Sequence, residues 1–321
     1  MPKPHLLLLH QFSRSNRDWL FEGLAPFYEI LEPRTFDEMA LISLAKDADV
    51  ALGSAITPAV LAEAMRLQML QTPGAGLEKL DKLALAAHGI TVCNSLSHAP
   101  QVAEHAIAML LALMRKVALH DRMLRKGVWY RPQGNSEDDA YQSDALSGAT
   151  IGLIGYGAIN QTVARFLTGF DVRLLVCARQ PRSGVRMSNL TEIMTLADAV
   201  IVSVPLTEST RGMIGVTELG LRTPAPYIVN VGRAEVIDRV ALVEALEHRR
   251  IRGAALDVPY DGVDGMAGLV EFTRFDNALV SPHRAGTVRG SSPNLLDVME
   301  NLVAFAKGLP LKNIVDLSAG Y

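Results

Sequence analysis

The stretch TIGLIGYGAIN, residues 150–160, decides the fold of this chain. Apolar residues lead into the glycine turn GYG, and a helix-like segment follows at once. In dinucleotide-binding folds the first glycine permits the tight turn, and the second lets the backbone approach a pyrophosphate. The N–H groups that open the helix then face the phosphates. The stretch therefore predicts a strand–turn–helix unit that binds a dinucleotide, with contacts at Gly155, Gly157, Ala158 and Ile159.

The last position of the glycine pattern departs from its usual form. Asn160 stands where a third glycine normally allows the helix to pack closely on the strand. We therefore expect slightly wider packing at this point. A turn that needs its glycines only for steric reasons is the alternative interpretation of the motif.

The following strand ends without the acidic residue that normally binds a ribose hydroxyl about 20 residues after the glycines. The stretch VCARQPR, residues 176–182, has Ala178 at that place, followed by Arg179 and Arg182. Without a carboxylate to repel it, the 2′-phosphate of NADP can be bound by these guanidinium groups through charge-assisted hydrogen bonds. Alternatively, the arginines only keep a loop soluble. The pattern favours NADP as the cofactor and leaves NAD open.

Short apolar runs alternate with longer helix-like segments along most of the chain, which is typical of an α/β protein with parallel sheets. The strand candidates are HLLLLH, YEILEP, DVALG, LQMLQT and ITVCN, then TIGLIGYG, VRLLVCAR, AVIVSVP, YIVNVG, IRGAALDV and NALVSPH. A single long helix is expected over residues 101–126, ended by Gly127, before a polar surface segment at residues 131–148. The sequence predicts two Rossmann-like, doubly wound parallel sheets.

The composition limits the classes of protein. With 321 residues, 49% of them hydrophobic and 20% charged, the chain is long enough for two packed domains. The net charge is −3 and the basic residues are spread along the chain, which argues against a general nucleic-acid-binding protein. No uncharged apolar run approaches the roughly 18 residues of a membrane helix. We expect a cytoplasmic protein with Cys93 and Cys177 as free thiols, although one disulfide between them is conceivable.

Further motifs make a family resemblance specific. They are QTPGAGLEKLD (71–81), HGITVCNSLSHAPQVAEHAIAMLLALMR (88–115), VNVGRAEVID (229–238), AALDV (254–258) and SPHRAGT (281–287). In this order, together with the glycine turn, they resemble the D-isomer-specific 2-hydroxyacid dehydrogenases. Within that family the chain is nearest in character to the NADPH-dependent glyoxylate and hydroxypyruvate reductases.

The resemblance implies an architecture. A substrate domain would consist of residues 1–102 and 287–321, and a dinucleotide-binding domain of residues 103–286, with the active site in the cleft between them. Members of the family are commonly homodimers, and the segment after Glu104 would contribute to the subunit contact.

The resemblance also implies roles for substrate-binding residues. The backbone amides of Gly74, Ala75 and Gly76 would hold the substrate carboxylate. Arg233 would clamp that carboxylate and polarise the 2-oxo group, since a fixed guanidinium stabilises the negative charge that develops on the carbonyl oxygen. His283 would give a proton to that oxygen, because histidine is the usual proton donor near neutral pH.

Other residues would complete the site. For the cofactor, the resemblance implies contacts at Pro205, Thr210 and Val231, and it implies that Asp257 orients the nicotinamide carboxamide. Ser54 lies in a loop that could face the substrate, although a cap or turn hydroxyl is an equal alternative. We expect no metal in the site.

One departure from the family pattern affects the proton donor. A glutamate that normally bonds the catalytic histidine stands five residues beyond the aspartate, and here that position is Gly262. Asp261, or else Asp264, could replace it, and Asp261 is nearer in register. Alternatively, His283 works without a carboxylate partner, or the protein only binds a nucleotide.

These features lead to an expected function with two alternatives. We expect an oxidoreductase that transfers a hydride between NADP(H) and a small 2-oxo or 2-hydroxy acid, giving the D-hydroxy acid. One alternative is a nucleotide-binding redox sensor, but a sensor has no evident need for both Arg233 and His283. The other is a formate or phosphite dehydrogenase, but formate dehydrogenases usually have a glutamine near the histidine, and none occurs at residues 257–283.

Overall fold

The computed structural model describes residues 2–129, 142–260, 267–289 and 292–318. It divides into two compact units, of which the first comprises Met1–His98 and Thr287–Tyr321 and the second Ala99–Gly286. The division comes at the start of a helix that begins at Ala99. The boundary expected between residues 102 and 103 lies within the first turn of this helix.

The first unit contains a parallel sheet of five strands in the order β2-β1-β3-β4-β5. The strands are β1 (His5–Leu8), β2 (Glu29–Leu31), β3 (Val50–Leu52), β4 (Met69–Gln71) and β5 (Thr91–Cys93). All five were expected from the sequence. Side chains alternate between the two faces, so that Leu6 and Leu8 enter one hydrophobic core and Leu7 and Leu9 the other.

Helices cover this sheet. They are α1 (Arg14–Leu24), α2 (Glu38–Ala45), α3 (Pro58–Glu63) and α4 (Lys82–Ala87). Each begins at a side-chain cap, in which Ser13, Asp37, Thr57 or Asp81 accepts a hydrogen bond from a backbone N–H three residues later. Such caps satisfy N–H groups that have no partner within the helix.

The second unit contains a parallel sheet of six strands in the order β11-β10-β9-β8-β6-β7. The strands are β6 (Thr150–Ile154), β7 (Arg173–Cys177), β8 (Ala199–Val202), β9 (Ala225–Asn230), β10 (Ile251–Leu256) and β11 (Ala278–Val280). Beyond β7, Met187 forms one parallel bridge with Val176. The third strand of the usual dinucleotide-binding order is thus reduced to a single bridge. The six strands expected from the sequence are confirmed.

Helices also cover the second sheet. They are α5 (Ala99–Met114), α6 (Val117–Arg125), α7 (Ala158–Phe166), α8 (Leu190–Leu196), α9 (Val216–Leu219), α10 (Arg239–Glu247) and α11 (Ala267–Val270). Short 3₁₀ helices occupy Leu167–Phe170, Ala234–Val236 and Glu271–Arg274. Two buried clusters of apolar side chains pack against this sheet.

The expectation of one long helix over residues 101–126 is wrong. The chain forms α5 and α6 instead, and Lys116 between them has a left-handed backbone with φ of 55°. The N–H of Lys116 bonds to the carbonyl of Leu113, three residues back, which tightens and ends α5. No glycine or proline marks this break. Gly127, with φ of 75°, follows the end of α6 as expected.

The last helix, α12 (Asn294–Ala306), belongs to the first unit. Leu295, Val298 and Leu302 enter the same buried cluster as Leu6 and Leu20. The hydroxyl of Tyr28 also donates a hydrogen bond of 2.6 Å to the carbonyl of Leu302. The two ends of the chain therefore build one core.

Two further properties are the absence of a membrane-spanning helix from the described residues and the state of the two cysteines. Within the described ranges, no helix is both long and apolar enough to cross a membrane. Both cysteines are free thiols, and burial raises the pKa of the Cys93 thiol to about 11. A thiol with so high a pKa stays protonated at neutral pH and is a poor nucleophile.

Candidate active site

The glycine turn has one glycine that the chain itself requires and one that it does not. Gly155 has φ of 84°, and a Cβ at this position would collide with the carbonyl of Ser203. At Gly157 a Cβ would meet no protein atom within 4 Å. The space beside Gly157 is thus left open by the protein, as a pyrophosphate that approaches the backbone requires.

The helix that follows supplies donors for an anion. Gly157 precedes α7, and no side chain caps this helix. In the part of the chain that the structure describes, the N–H groups of Ala158 and Ile159 donate no hydrogen bond to a protein atom. These amides at the positive end of a helix fit a dinucleotide phosphate.

Asn160 strengthens the turn. Its side chain is fully buried. The Nδ2 atom donates to three carbonyl oxygens at the ends of β6 and β8, those of Ile154, Gly155 and Ile201, at 3.2, 2.8 and 3.3 Å. The buried amide of Asn160 therefore links two strand ends to the helix, and the wider packing expected at this position stays a prediction.

The end of β7 lies beside the glycine turn. The N–H of Gly155 donates a hydrogen bond of 2.8 Å to the carbonyl of Cys177, the last residue of β7. Ala178 follows, and Arg179 and Arg182 are exposed in the turn beyond it. An acid is thus missing next to the candidate phosphate site, and two cations follow within four residues.

The loop after β8 is held together by Thr210. Its hydroxyl donates to the carbonyl of Pro205 at 2.7 Å and accepts from the N–H of Thr207 at 2.8 Å. The hydroxyl therefore shapes this loop from within. Val204, at the start of the loop, lies against Gly155, so the loop borders the glycine turn.

Arg233 stands in a turn after β9 that depends on a buried asparagine. Asn230 is fully buried, and its side chain accepts from the N–H of Gly232 at 3.0 Å and donates to the carbonyl of Arg233 at 2.9 Å. The guanidinium Nη1 of Arg233 donates to the carbonyl of Gly232 at 2.8 Å. Val231, expected at the cofactor, is 7% exposed within the core.

His283 has an unusual backbone conformation. Its φ is 54°, in the left-handed region that residues other than glycine seldom occupy. Its N–H donates a hydrogen bond of 2.9 Å to the carbonyl of Ser281. The carboxylate of Asp257 accepts the N–H groups of Arg284 at 2.9 Å and Ala285 at 3.0 Å. These bonds hold the turn, so the backbone that carries the exposed imidazole of His283 is fixed in position.

Asp257 therefore stabilises the turn that carries His283, a role that the sequence did not reveal. It is 2% exposed and follows β10, between the ends of β9 and β11. The expected contact with the nicotinamide carboxamide stays a prediction, since each carboxylate oxygen has more than one lone pair. Asp261 and Asp264, the alternative partners expected for His283, lie outside the described residues, as does Gly262.

His105 on α5 reaches the same turn and was missed by sequence reasoning. Its Nε2 lies 3.0 Å from Oγ of Ser281 and 3.6 Å from Oδ1 of Asp257. The signal was present in QVAEHAIAM, where a histidine interrupts an otherwise apolar helix. A lone histidine is more often structural than functional, so the pattern alone did not single it out.

In the first unit, two carbonyls of the loop 74–76 accept hydrogen bonds from other protein groups. The carbonyl of Gly74 accepts from the N–H of Ser95 and from the hydroxyl of Thr72, at 3.1 and 2.6 Å. The carbonyl of Ala75 accepts from Nδ2 of Asn94 at 3.2 Å. In a trans peptide the N–H points opposite to the C=O, so the N–H groups of Ala75 and Gly76 face away from these partners.

These N–H groups fit a carboxylate. Among the residues that the structure describes, the amides of Gly74, Ala75 and Gly76 donate no hydrogen bond to protein. Adjacent amides that face one direction form an anion-binding concavity. The geometry therefore suits the expected role of this loop.

A buried polar cluster lies beneath the loop. Gln71 donates to the carbonyl of Thr72 at 2.9 Å and to the hydroxyl of Ser95 at 3.2 Å. Its Oε1 accepts from Nδ2 of Asn301 on α12 at 2.9 Å. The residues of this cluster were not expected from the sequence, because they meet only in the folded chain.

Ser54 follows β3, next to the strand that precedes the loop 74–76. It is exposed, and Thr57 rather than Ser54 caps the following helix α3. The helix-cap alternative for Ser54 is therefore wrong. Its place at the carboxyl edge of the sheet leaves a substrate contact as a prediction.

A family model described as D-isomer specific 2-hydroxyacid dehydrogenase, NAD binding domain, matches residues 107–285. A glyoxylate reductase of Pyrococcus furiosus is 32% identical over 294 residues, which are 86% of this chain and 85% of the relative. A glyoxylate reductase of Aeropyrum pernix is 30% identical over 312 residues, with 92% of each chain covered.

The fold also matches a solved structure. An NADPH-dependent glyoxylate/hydroxypyruvate reductase of Sinorhizobium meliloti, in complex with NADP and malonate, superposes with a TM-score of 0.81 at 25% identity. The match covers 99% of this chain and 98% of the other. The similarity thus extends over both units.

Proposed function

Because the chain belongs to the D-isomer-specific 2-hydroxyacid dehydrogenases, we propose that it reduces a small 2-oxo acid to the D-2-hydroxy acid with NADPH. As a member of this family it is an oxidoreductase that uses a nicotinamide dinucleotide. Glyoxylate and hydroxypyruvate are the first candidate substrates. The observation that carries the proposal is that Arg233 follows β9 and His283 follows β11, in the sheet whose β6 ends in the glycine turn.

Four residues have defined roles in the proposed reaction. The N–H groups of Ala75 and Gly76 bind the substrate carboxylate. Arg233 binds the substrate through its guanidinium and stabilises the charge that develops on the carbonyl oxygen. His283 holds a proton on its imidazole and donates it to that oxygen. The bound nicotinamide supplies the hydride.

The cofactor preference rests on the end of β7. Ala178 offers no carboxylate for a ribose hydroxyl, and Arg179 and Arg182 offer guanidinium groups to a 2′-phosphate. Gly157, Ala158 and the rest of the first turn of α7 would hold the pyrophosphate. NADP is therefore the proposed cofactor, with NAD as the weaker one.

The experiment follows the near-ultraviolet absorbance of the reduced nicotinamide. The protein is mixed with NADPH or NADH and with glyoxylate, hydroxypyruvate, pyruvate or phenylpyruvate. Turnover with NADPH well above NADH supports the proposal, and the chirality of the product tests D-specificity. Binding of NADPH without turnover of any 2-oxo acid would contradict it.

We infer that the chain forms a homodimer through α6 and residues 126–129. Val117, Leu124 and Val128 are exposed there, and Trp129 is 73% exposed. Several large apolar side chains on one short segment are unusual on the surface of a monomer. Leu124→Asp should lower the mass in light scattering to that of a monomer, whereas Leu83→Asp on α4, which is more exposed than Leu124, should leave it unchanged.

We infer a cytoplasmic location. Both cysteines are free, as is usual in a reducing compartment. Fractionation of cells that express the tagged chain tests this inference, and recovery in a secreted fraction would contradict it.

A further inference from the structure

The imidazole of His105 stands at the junction of three elements of the second unit. The residue lies on α5, whose apolar face packs against the sheet through Val102, Ala106 and Leu110. Its own side chain is 30% exposed and reaches the ends of β10 and β11. Val102 and Met109, one turn away on either side, are buried and apolar, so packing alone does not require an imidazole here.

The surroundings determine which nitrogen of His105 carries a proton. Nε2 lies 3.0 Å from Oγ of Ser281 and 3.6 Å from the carboxylate of Asp257. A lone pair on Nε2 would face the negative carboxylate and be repelled, whereas an N–H is attracted. This electrostatic preference assigns the proton to Nε2, which then donates to the hydroxyl of Ser281 and places a positive N–H beside Asp257.

The carboxylate of Asp257 needs such a neighbour. It is 2% exposed, and burial of a charge is unfavourable unless hydrogen bonds and nearby dipoles compensate for the lost water. The N–H groups of Arg284 and Ala285 supply two hydrogen bonds. The imidazole of His105, with Nε2 3.6 Å from Oδ1, is a further polar group that faces this carboxylate.

The turn at residues 281–285 depends on these contacts. His283 has φ of 54°, and a left-handed conformation in such a residue persists only where the surroundings hold it. Ser281 at the start of the turn contacts His105, and Arg284 and Ala285 at its end bond to Asp257. The start of the turn therefore contacts His105 and its end bonds to Asp257, and these two side chains lie 3.6 Å apart.

We propose that His105 is a positioning residue, which acts through Ser281 and Asp257 to hold the turn that presents His283 to the substrate. The proposal rests on the proposed function, because it assigns His283 as the proton donor. His105 itself contacts neither substrate nor cofactor in this assignment. Its loss should misplace His283 and slow the chemical step, while binding is preserved.

The test compares His105→Ala with His105→Gln, since the amide nitrogen of glutamine can occupy the place of Nε2 and donate to Ser281. His248→Ala, which removes an exposed histidine of the same unit, is the control. His105→Ala should lower kcat by about 10- to 100-fold and leave the Kd for NADPH within twofold. His105→Gln should recover most of the loss, and His248→Ala should match the wild type.

A second readout does not depend on turnover. Hydrogen exchange of the Arg284 and Ala285 amides should be faster in His105→Ala than in the wild type, by about 10-fold or more, and slow again in His105→Gln. Unchanged exchange of the two amides in His105→Ala would overturn the proposal, whatever the change in kcat. Equal losses in His105→Ala and His105→Gln would also overturn it, because bulk rather than the donor would then matter.

The two proposals fail in different ways. If the wild type reduces no 2-oxo acid, the proposed function fails, and the exchange of the two amides alone decides the role of His105. If the wild type turns over and the exchange is insensitive to His105, only the positioning proposal fails. Thermal unfolding of each variant shows whether a loss reflects the turn or the whole fold.

Discussion

The side chain of Asn301 on the last helix donates a hydrogen bond of 2.9 Å to Oε1 of Gln71, at the end of β4. Asn301 also bonds to both backbone groups of Lys312, and Gln71 continues to Ser95. The loop 74–76 lies on this cluster. A helix from one end of the chain thus supports a loop in its first third.

We expect Asn301→Ala to lower the free energy of unfolding by about 1–3 kcal/mol, because it leaves buried partners without hydrogen bonds. KM for the 2-oxo acid should rise, since the cluster holds the amides that face the substrate carboxylate. Urea unfolding and steady-state kinetics measure the two effects. Glu300→Ala, next to it, removes an exposed ion pair with Lys312 and should leave the free energy of unfolding close to that of the wild type.

Alanine at the two glycines of the turn should affect different properties. Gly155→Ala should lower the stability of the protein, and Gly157→Ala should weaken the binding of NADPH. Gly155→Ala forces a Cβ against the Ser203 carbonyl at a left-handed position, so we expect a loss of about 1–3 kcal/mol in stability. Gly157→Ala meets no protein atom and should change stability by less than about 1 kcal/mol. Thermal unfolding without cofactor separates them.

For Gly157→Ala the loss should appear in NADPH binding, because the added methyl occupies the space left for the pyrophosphate. A fluorescence titration should give a Kd at least about 10-fold higher than that of the wild type. An unchanged Kd would mean that the cofactor does not approach the backbone at this glycine.

Arg179→Asp should reduce the preference for NADPH over NADH by about 10-fold or more in kcat/KM, since it replaces a charge-assisted hydrogen bond by repulsion of the 2′-phosphate. Kinetics with both cofactors measure the ratio. Arg274→Asp, another exposed arginine of the second unit, is the control and should leave the ratio unchanged. A preference insensitive to Arg179 would assign it only to solubility.

His283→Asn should lower kcat by about 10²- to 10⁴-fold, as expected for loss of a general acid. Asparagine tolerates the left-handed backbone that the structure shows at this position, so the turn should persist. NADPH titration should give the wild-type Kd. A variant with wild-type kcat would remove His283 from the proton-transfer role.

Stability should fall on the acid side partly because of His10, after β1. Burial lowers the pKa of this imidazole below its ordinary value of 6.5. As pH falls below 6.5, the unfolded chain takes up the proton first, so the free energy of unfolding decreases towards the lower folded pKa. Urea unfolding across this range should show a shallower decrease in His10→Gln. An identical decrease in both proteins would assign the pH dependence to other groups.

The sheets could be predicted because each strand is a short apolar run between turns. The break at Lys116 could not, since the apolar pattern continues across it and neither glycine nor proline marks it. Arg233 and His283 were found through motifs that keep their order along the sequence. His105 and Gln71 act through contacts between segments far apart in the chain, which local spacing does not encode.

The order in which the chain is made has a consequence for the first unit. Its sheet emerges from the ribosome first, yet Leu295, Val298 and Leu302 of α12 complete the core beside Leu6 and Leu20. The second unit, Ala99–Gly286, is continuous and finishes earlier. Until α12 has been synthesised, the cluster that contains Leu6 and Leu20 lacks these three side chains, and apolar surface exposed in this way makes an incomplete chain prone to aggregation.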